Sequence, residues 1–315
     1  MIRSVLVGLL LLFVSVGTAA AQNCGAVPNT LTNGTNADAT AVMGNFAAVV
    51  GCVNNLALPS APSGRLSYVT ASAIKYVPFN GNQIKISGVV YAVPATGIVG
   101  CANTGVFVNG TAAQNLAAST LYYVYAFVNS GTLTCDFSTT SHVTSSTAGN
   151  VGTEIETGND SRSLIGMIQT NSSSQFVDSL TQRFVRSWFN RQAVALNSPA
   201  LTASVSIPGS LAEITSAIRT QFLIWADEVI STTAYAAYFN NTSGTAMTLA
   251  IAYDTVVETN ATNINGDGSG GARPITAASA KQGLSEGSHY VTLQGSNSSG
   301  TASLFLKSWT VATIR

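Results

Sequence analysis

Apolar positions recur along this chain with three different rhythms, and each predicts a different element. Val42, Phe46, Val49, Val53 and Leu56 follow one another at spacings of four, three, four and three. That is a heptad seam just over two repeats long, with Met43 and Val50 beside it, and it predicts a helix to about Asn55 with Asp38 as N-cap. Such a seam either joins copies of the chain in a short parallel bundle or packs as one amphipathic helix on its own chain, because two heptads are marginal alone. From residue 65 onward the period falls to two. Leu121, Tyr123, Tyr125 and Phe127 alternate with Val124, Ala126 and Val128, Asn129-Ser130-Gly131 turns the chain, and Thr132 to Phe137 returns. Ile84 and Ile86 share a face opposite Lys85.

Further strands are expected over 66–76, 105–108, 151–155, 164–169 and 183–189. A second set is expected over 204–207, 222–230, 234–239, 247–253, 290–294 and 303–314. Between 259 and 274 lies an Asn- and Gly-rich stretch that reads as a long loop of the kind that carries contacts. The expectation is a mainly β fold: two antiparallel β-sandwich or jelly-roll-like domains after a short N-terminal helix. The boundaries are 22–64 for the helical module and its linker, 65–192 for a central β domain and 193–315 for a C-terminal β-sandwich head.

The third rhythm is no rhythm: residues 4–16 are an almost unbroken apolar run centred on Leu9 to Leu12, behind Arg3 and ahead of Ala19-Ala20-Ala21. That run is shorter than the roughly 20 residues that span a bilayer, so 1–21 reads as a cleavable signal peptide that meets the membrane only during export. Ala21, Gln22 and Asn23 before Cys24 do not form a lipoprotein signal.

Composition narrows the function. Removing Arg3 with the leader leaves 12 basic side chains against 13 acidic ones, which gives no electrostatic case for a nucleic-acid partner. Charged residues are 8% of the chain, against a usual share of about 25%; Asn, Ser, Thr and Gly supply the polarity, and they favour turns and pleated surfaces. Cys24, Cys52, Cys101 and Cys135 all follow the leader. An even count in an oxidising compartment predicts two disulfides with three possible connectivities, of which the local pairs Cys24–Cys52 and Cys101–Cys135 are favoured; free buried thiols are the alternative.

Catalytic readings find little support. His142 and His289, the two histidines, fall in different units and read as surface or strand-end residues, and no G-x-S-x-G elbow is present. In Gly266-Asp267-Gly268-Ser269, Gly268 separates acid from serine. Glu154 and Glu156 share a strand face and read as solvated acids, while Asp227 and Glu228 would point to opposite faces of a strand. Asn263, Asn265 and Asp267 imitate the first half of a calcium loop, but Pro274 stands where the bidentate Glu belongs. No metal and no cofactor are expected. The stronger lead is aromatic: Tyr122, Tyr123, Tyr125, Phe127, Trp188 and Phe189 in one unit, and Trp225, Tyr235, Tyr238 and Tyr253 in the other, among Asn and Asp side chains that suit a glycan. Core packing accounts for most of them, but Trp188 and Phe189 would face opposite ways along a strand, which leaves one of them for solvent or an interface. Arg183, Arg186 and Arg191 read as surface arginines or as pairs across a subunit boundary.

Two ordered strings resemble modules of bacteriophage and prophage tail-fibre proteins. One runs from Asn29-Thr30-Leu31-Thr32-Asn33-Gly34 through Val42-Met43-Gly44-Asn45-Phe46. The other includes Tyr122-Tyr123-Val124-Tyr125-Ala126, Asp160-Ser161-Arg162-Ser163-Leu164-Ile165-Gly166-Met167 and Arg183-Phe184-Val185-Arg186-Ser187-Trp188-Phe189-Asn190. Glu286-Gly287-Ser288-His289-Tyr290 and the strands after it resemble fibre heads of the C1q/TNF type. The resemblance implies a homotrimeric fibre whose distal domain contacts a cell-surface glycan or protein. A secretory leader departs from that family's cytoplasmic assembly and favours an exported adhesin or surface filament. The expected function is therefore non-enzymatic binding, with Trp188, Asn263, Asn265 and Asp267 as candidate contacts. A filament or phage-appendage subunit is the second reading. A carbohydrate-active enzyme using Glu154, Glu156 or Asp227 is the third.

Overall fold

Local signals place the first element where the apolar spacing puts it. In a computed structural model of the chain, the helix spans Ala39–Asn55. The Asp38 carboxylate accepts the Thr40 amide at 2.8 Å and its carbonyl accepts the Val42 amide at 3.1 Å, so Asp38 caps the first turn. Asn29 and Asn45 tie the preceding segment to the helix: the Asn29 amide donates to Asn45 Oδ1 at 2.9 Å and Asn45 Nδ2 to the Asn29 carbonyl at 2.8 Å. Along the described seam Met43, Phe46, Val49 and Val50 are exposed.

The structure describes residues 28–31, 38–55, 63–199, 201, 203–240, 242–258, 262–267, 273–299, 302–304 and 309–315, and for 51–55, 240, 264, 266, 267, 309 and 311 only the backbone. The expected leader, Cys24, the Cys52 and Val53 side chains, Leu56, most of the 58–64 linker and Gly268-Ser269 lie outside the described residues. By contacts the chain forms two units, residues 1–59 and 60–315.

The larger unit is antiparallel β almost throughout. Leu121–Asn129 and Thr132–Ser138 form the expected hairpin, closed by Ser130 (φ 47°) and Gly131 (φ 84°). Two successive positive φ angles make the primed turn whose twist matches the strands, and Gly131 takes the left-handed conformation at no Cβ cost. The alternation is used on both faces. Tyr122, Val124 and Ala126 enter one core with Phe137, Ile165 and Ile168, while Tyr123 and Tyr125 enter another with Leu164, Met167, Leu223 and Trp225. The hairpin lies inside an eight-stranded sheet with Asn159–Gln169 as its neighbour. A disulfide joins Cys101 to Cys135 across 34 residues of chain, one of the two pairs favoured from sequence.

Strands beyond residue 200, with Gln182–Arg183 in one sheet and Val194–Asn197 in the other, build a seven-stranded and a six-stranded sheet that enclose an apolar core of Phe222, Ile224, Leu249, Ile251 and Leu293 from one side and Ile230, Ala234, Ile275, Leu304 and Ile314 from the other. This is the expected sandwich, with two corrections. The strand expected over 222–230 is interrupted: Thr220–Ile224 and Val229–Asn240 lie in different sheets, with a turn at 225–228 closed by the Glu228 amide on the Trp225 carbonyl at 3.0 Å. The 259–274 loop contains a strand, Thr262–Asp267, paired with Ser243–Tyr253, and ends at the start of Arg273–Gln282, paired with Val229–Asn240. Asn263, Asn265 and Gly266 hid the first of these strands, because pairing with a neighbouring strand overrides local propensity.

One short segment stitches the three larger sheets. Gln182–Arg183 pairs parallel with Thr220–Ile224, Val185–Ser187 pairs with Asn159–Gln169, and Val194–Asn197 pairs with Trp309–Ile314. Gly166 permits the second contact: an added Cβ would lie 2.5 Å from both the Arg186 carbonyl oxygen and Leu66 Cδ2.

Candidate functional site

The stitching segment leaves its sheet after Ser187 and bends through Trp188, Phe189 and Asn190, the last at φ 49°. Alternation therefore ends before the two aromatics, and both are half-buried: Trp188 against the core that holds Trp225, Phe189 against the core of the eight-stranded sheet. Asn190 fixes the bend by donating to the carbonyls of Gly64 (2.9 Å) and Phe79 (3.1 Å) and accepting from Asn80 (2.9 Å). Together they wall a half-open cavity of about 420 Å³, to which Ile84, Lys85, Glu154 and Arg191 also contribute. That volume is in the range of sites for small ligands.

Three neighbours hold Trp188 in place. Its ring meets Trp225 edge-on at 4.8 Å, the Arg191 guanidinium lies 4.5 Å from its centroid, and His142 lies 5.1 Å away. Arg191 also pairs with Asp227. Trp225 is fully buried and donates its indole N–H to the Ser187 carbonyl at 3.0 Å. Arg186 is not a surface arginine. It is 4% exposed and paired with the equally buried Glu228, whose other oxygen accepts the Trp225 amide at 2.9 Å. Burial pulls the Arg186 pKa down, and the Glu228 charge opposes that pull.

His142 corrects a second expectation. It is pinned between two carboxylates, with Nδ1 2.6 Å from Glu154 Oε2 and Nε2 3.0 Å from Glu286 Oε2. A neutral imidazole carries one N–H, so only the imidazolium donates to both. Desolvation lowers its pKa, but the hydrogen bonds to Glu286 and Glu154 outweigh burial and raise it above the usual value. Burial and Glu286 likewise push the Tyr123 phenol up. Glu154 and Glu156 are not solvated acids: Glu154 also accepts from Thr144, and Glu156 accepts from Ser138 and faces Arg162. Nothing local could have announced the Glu286 contact, which joins residues 144 apart in sequence.

The other histidine has a triad-like neighbourhood. His289 Nδ1 lies 2.8 Å from Asp254, and Nε2 lies 3.4 Å from the Ser285 hydroxyl. The shorter contact of Nε2 is to the Ser285 carbonyl at 2.8 Å, which makes that nitrogen a donor, whereas a general base must accept there. Asp227 and Glu228 sit in the turn and serve different arginines.

Of the four candidate contacts, Trp188 lines the cavity. Asn263, Asn265 and Asp267 instead stand on the strand Thr262–Asp267, where Asn263 and Asn265 are exposed and Asn263 accepts from Thr248 at 2.7 Å. They lie on a ladder rather than in a calcium-type loop. Among the described residues no group of three or more His, Cys, Asp or Glu is placed to hold a metal ion, and no helix is long and apolar enough to cross a membrane.

The fold and site define a class: a mainly antiparallel β-sandwich protein, disulfide-bonded, with a polar-walled aromatic cavity. No family model and no curated protein matches the chain. Among solved structures, it is similar to Eiger TNF from S. frugiperda at 12% identity over 39% of this chain and 92% of that one, with a TM-score of 0.28. The infectious bursal disease virus VP2 subviral particle aligns at 12% identity over 80% of this chain and 69% of that one, with a TM-score of 0.26. Both scores are too low to define a shared fold.

Proposed function

We propose that the protein is an exported, fibre- or adhesin-like binding protein that holds a cell-surface glycan in the cavity beside Trp188. The observation that carries this reading is the composition of that cavity. Apolar Ile84, Trp188 and Phe189 stand beside Lys85, Glu154 and Asn190, and a sugar, which has apolar C–H faces and hydroxyls that both donate and accept, uses both kinds of wall. Among the candidate contacts, this reading favours Trp188 over Asn263, Asn265 and Asp267. Export is supported by the leader-like residues 1–21 and by the Cys101–Cys135 disulfide, a bond characteristic of oxidising compartments. The exposed Met43, Phe46, Val49 and Val50 support association of copies through the helix, with a trimer favoured. They also favour the second reading, a structural subunit of an extracellular filament.

A glycan array probed with the secreted wild-type chain and with Trp188→Ala tests the proposal. Wild type is expected to bind a defined set of glycans that Trp188→Ala loses and an Asn263→Ala/Asn265→Ala variant retains. Absence of binding by the wild type would leave the filament reading standing.

A further inference from the structure

A second cavity, of about 230 Å³, shares Asn190 with the first and is lined by Arg65, Tyr68, Asp178, Arg186 and Gln192 among others. Three of these side chains carry buried polar atoms with no hydrogen-bond partner among the described residues: Arg65 Nε, Arg186 Nε and Asp178 Oδ1. Neighbouring atoms of two of them are already engaged. Arg186 Nη1 donates to the Gln192 carbonyl at 3.2 Å and Nη2 to Glu228, while Asp178 Oδ2 accepts from Arg183 at 3.3 Å. The Arg65 guanidinium lies 3.3 Å from the Phe79 ring centroid. Buried donors and acceptors left unpaired are costly, and three at one cavity describe a site whose partner comes from outside the chain.

We propose that this cavity is a binding site for a neutral, polyhydroxylated molecule the size of one hexose ring. The chemistry follows from the signs of the three atoms. Arg186 is already paired with Glu228 and Asp178 with Arg183, so an anion brought to the Arg186 Nε–H or a cation brought to Asp178 would meet a like charge beside its partner. A hydroxyl donates and accepts at once, so neighbouring hydroxyls on one ring can accept from both arginines and donate to Asp178. A single water, with a share of liquid volume of about 30 Å³, would leave most of the cavity unfilled. Burial raises the Asp178 pKa although Arg183 opposes it, in keeping with a carboxylate short of donors. The site is separate from the Trp188 cavity and does not depend on what that cavity holds.

Arginine Nε–H groups give their own signals in ¹H–¹⁵N spectra, so the test reads the two orphan donors directly. The full secreted chain is titrated in turn with glucose, galactose, mannose and sodium sulfate. The expected result is saturable movement of the Arg65 and Arg186 Nε–H signals with at least one hexose, and none with sulfate. Asp178→Ala should weaken that hexose about tenfold or more, the loss of one hydrogen bond to a charged group. Arg65→Lys, which keeps the charge and perturbs the fold least, should do the same, and Trp188→Ala should leave the affinity unchanged. Movement with sulfate alone would overturn the proposal in favour of an anion site. No movement with any of the sugars would mean that water satisfies these groups, and would overturn it equally. Loss of hexose binding in Trp188→Ala with retention in Arg65→Lys would assign the sugar to the first cavity.

Discussion

The C-terminal sandwich and the stitched junction bury their side chains by different physics. In the sandwich, Phe222, Leu249, Ile251 and Leu293 meet Ile230, Ala234, Leu304 and Ile314 between two sheets, and the fully buried Tyr253 spends its hydroxyl on Thr232 at 2.8 Å. Around the junction, charges are buried instead: Arg186 on Glu228, and His142 between Glu154 and Glu286. Apolar burial is non-directional and tolerates small losses, whereas a buried charge depends on one partner in one place. The junction is thus the more specified and the more fragile of the two, and it is where the aromatic cavity sits.

The sharpest way to break that comparison is Glu228→Ala. Leaving Arg186 buried without its partner should cost about 3–5 kcal/mol, measured as a fall in the denaturant midpoint of the purified chain; a loss near zero would show that Arg186 finds water. Next in size is the disulfide, which lies in the core of the eight-stranded sheet. Cys135→Ala removes a closure of 34 residues and should cost about 3–4 kcal/mol by the chain-entropy relation, read by the same unfolding experiment. In the sandwich, Ile230→Val should cost only about 0.5–1.5 kcal/mol. If it cost as much as Glu228→Ala, the contrast between the regions would fail.

The smallest effect is confined to pH. The folded His142 pKa is raised above the ordinary value of 6.5, so its contribution to stability is complete below that value and is lost as pH rises through the folded pKa. The groups packed on the ring are Glu154, Glu286, Tyr123, Trp188 and Trp225. Stability followed from pH 6.5 upward should therefore decline in wild type and decline less in His142→Gln, and identical slopes would remove the histidine from the account.

What the chain's pattern reveals divides along the same line. The helix with its Asp38 cap, the two faces of Leu121–Asn129 and the Ser130-Gly131 turn are legible because each is set by neighbours within a few residues. The break at 225–228 is not, since Trp225-Ala226-Asp227-Glu228 contains neither Gly nor Pro and is stabilised from outside by Arg186 and Arg191. The three-way pairing of Gln182–Arg183, Val185–Ser187 and Val194–Asn197 is equally silent, because backbone pairing over such separations leaves no local mark. Trp188 was visible as an aromatic among arginines. Its histidine neighbour was not, because His142 is brought to it by tertiary packing.

The central claim is that the bend at Trp188 is the binding surface, and chemical-shift mapping tests it most directly. A glycan that the array selects is added to the isotope-labelled full chain. The account predicts that perturbations centre on the indole N–H of Trp188 and the amides of Lys85, Glu154 and Asn190. Perturbations confined to Asn263, Asn265 and Asp267, with the Trp188 indole unmoved, would contradict it.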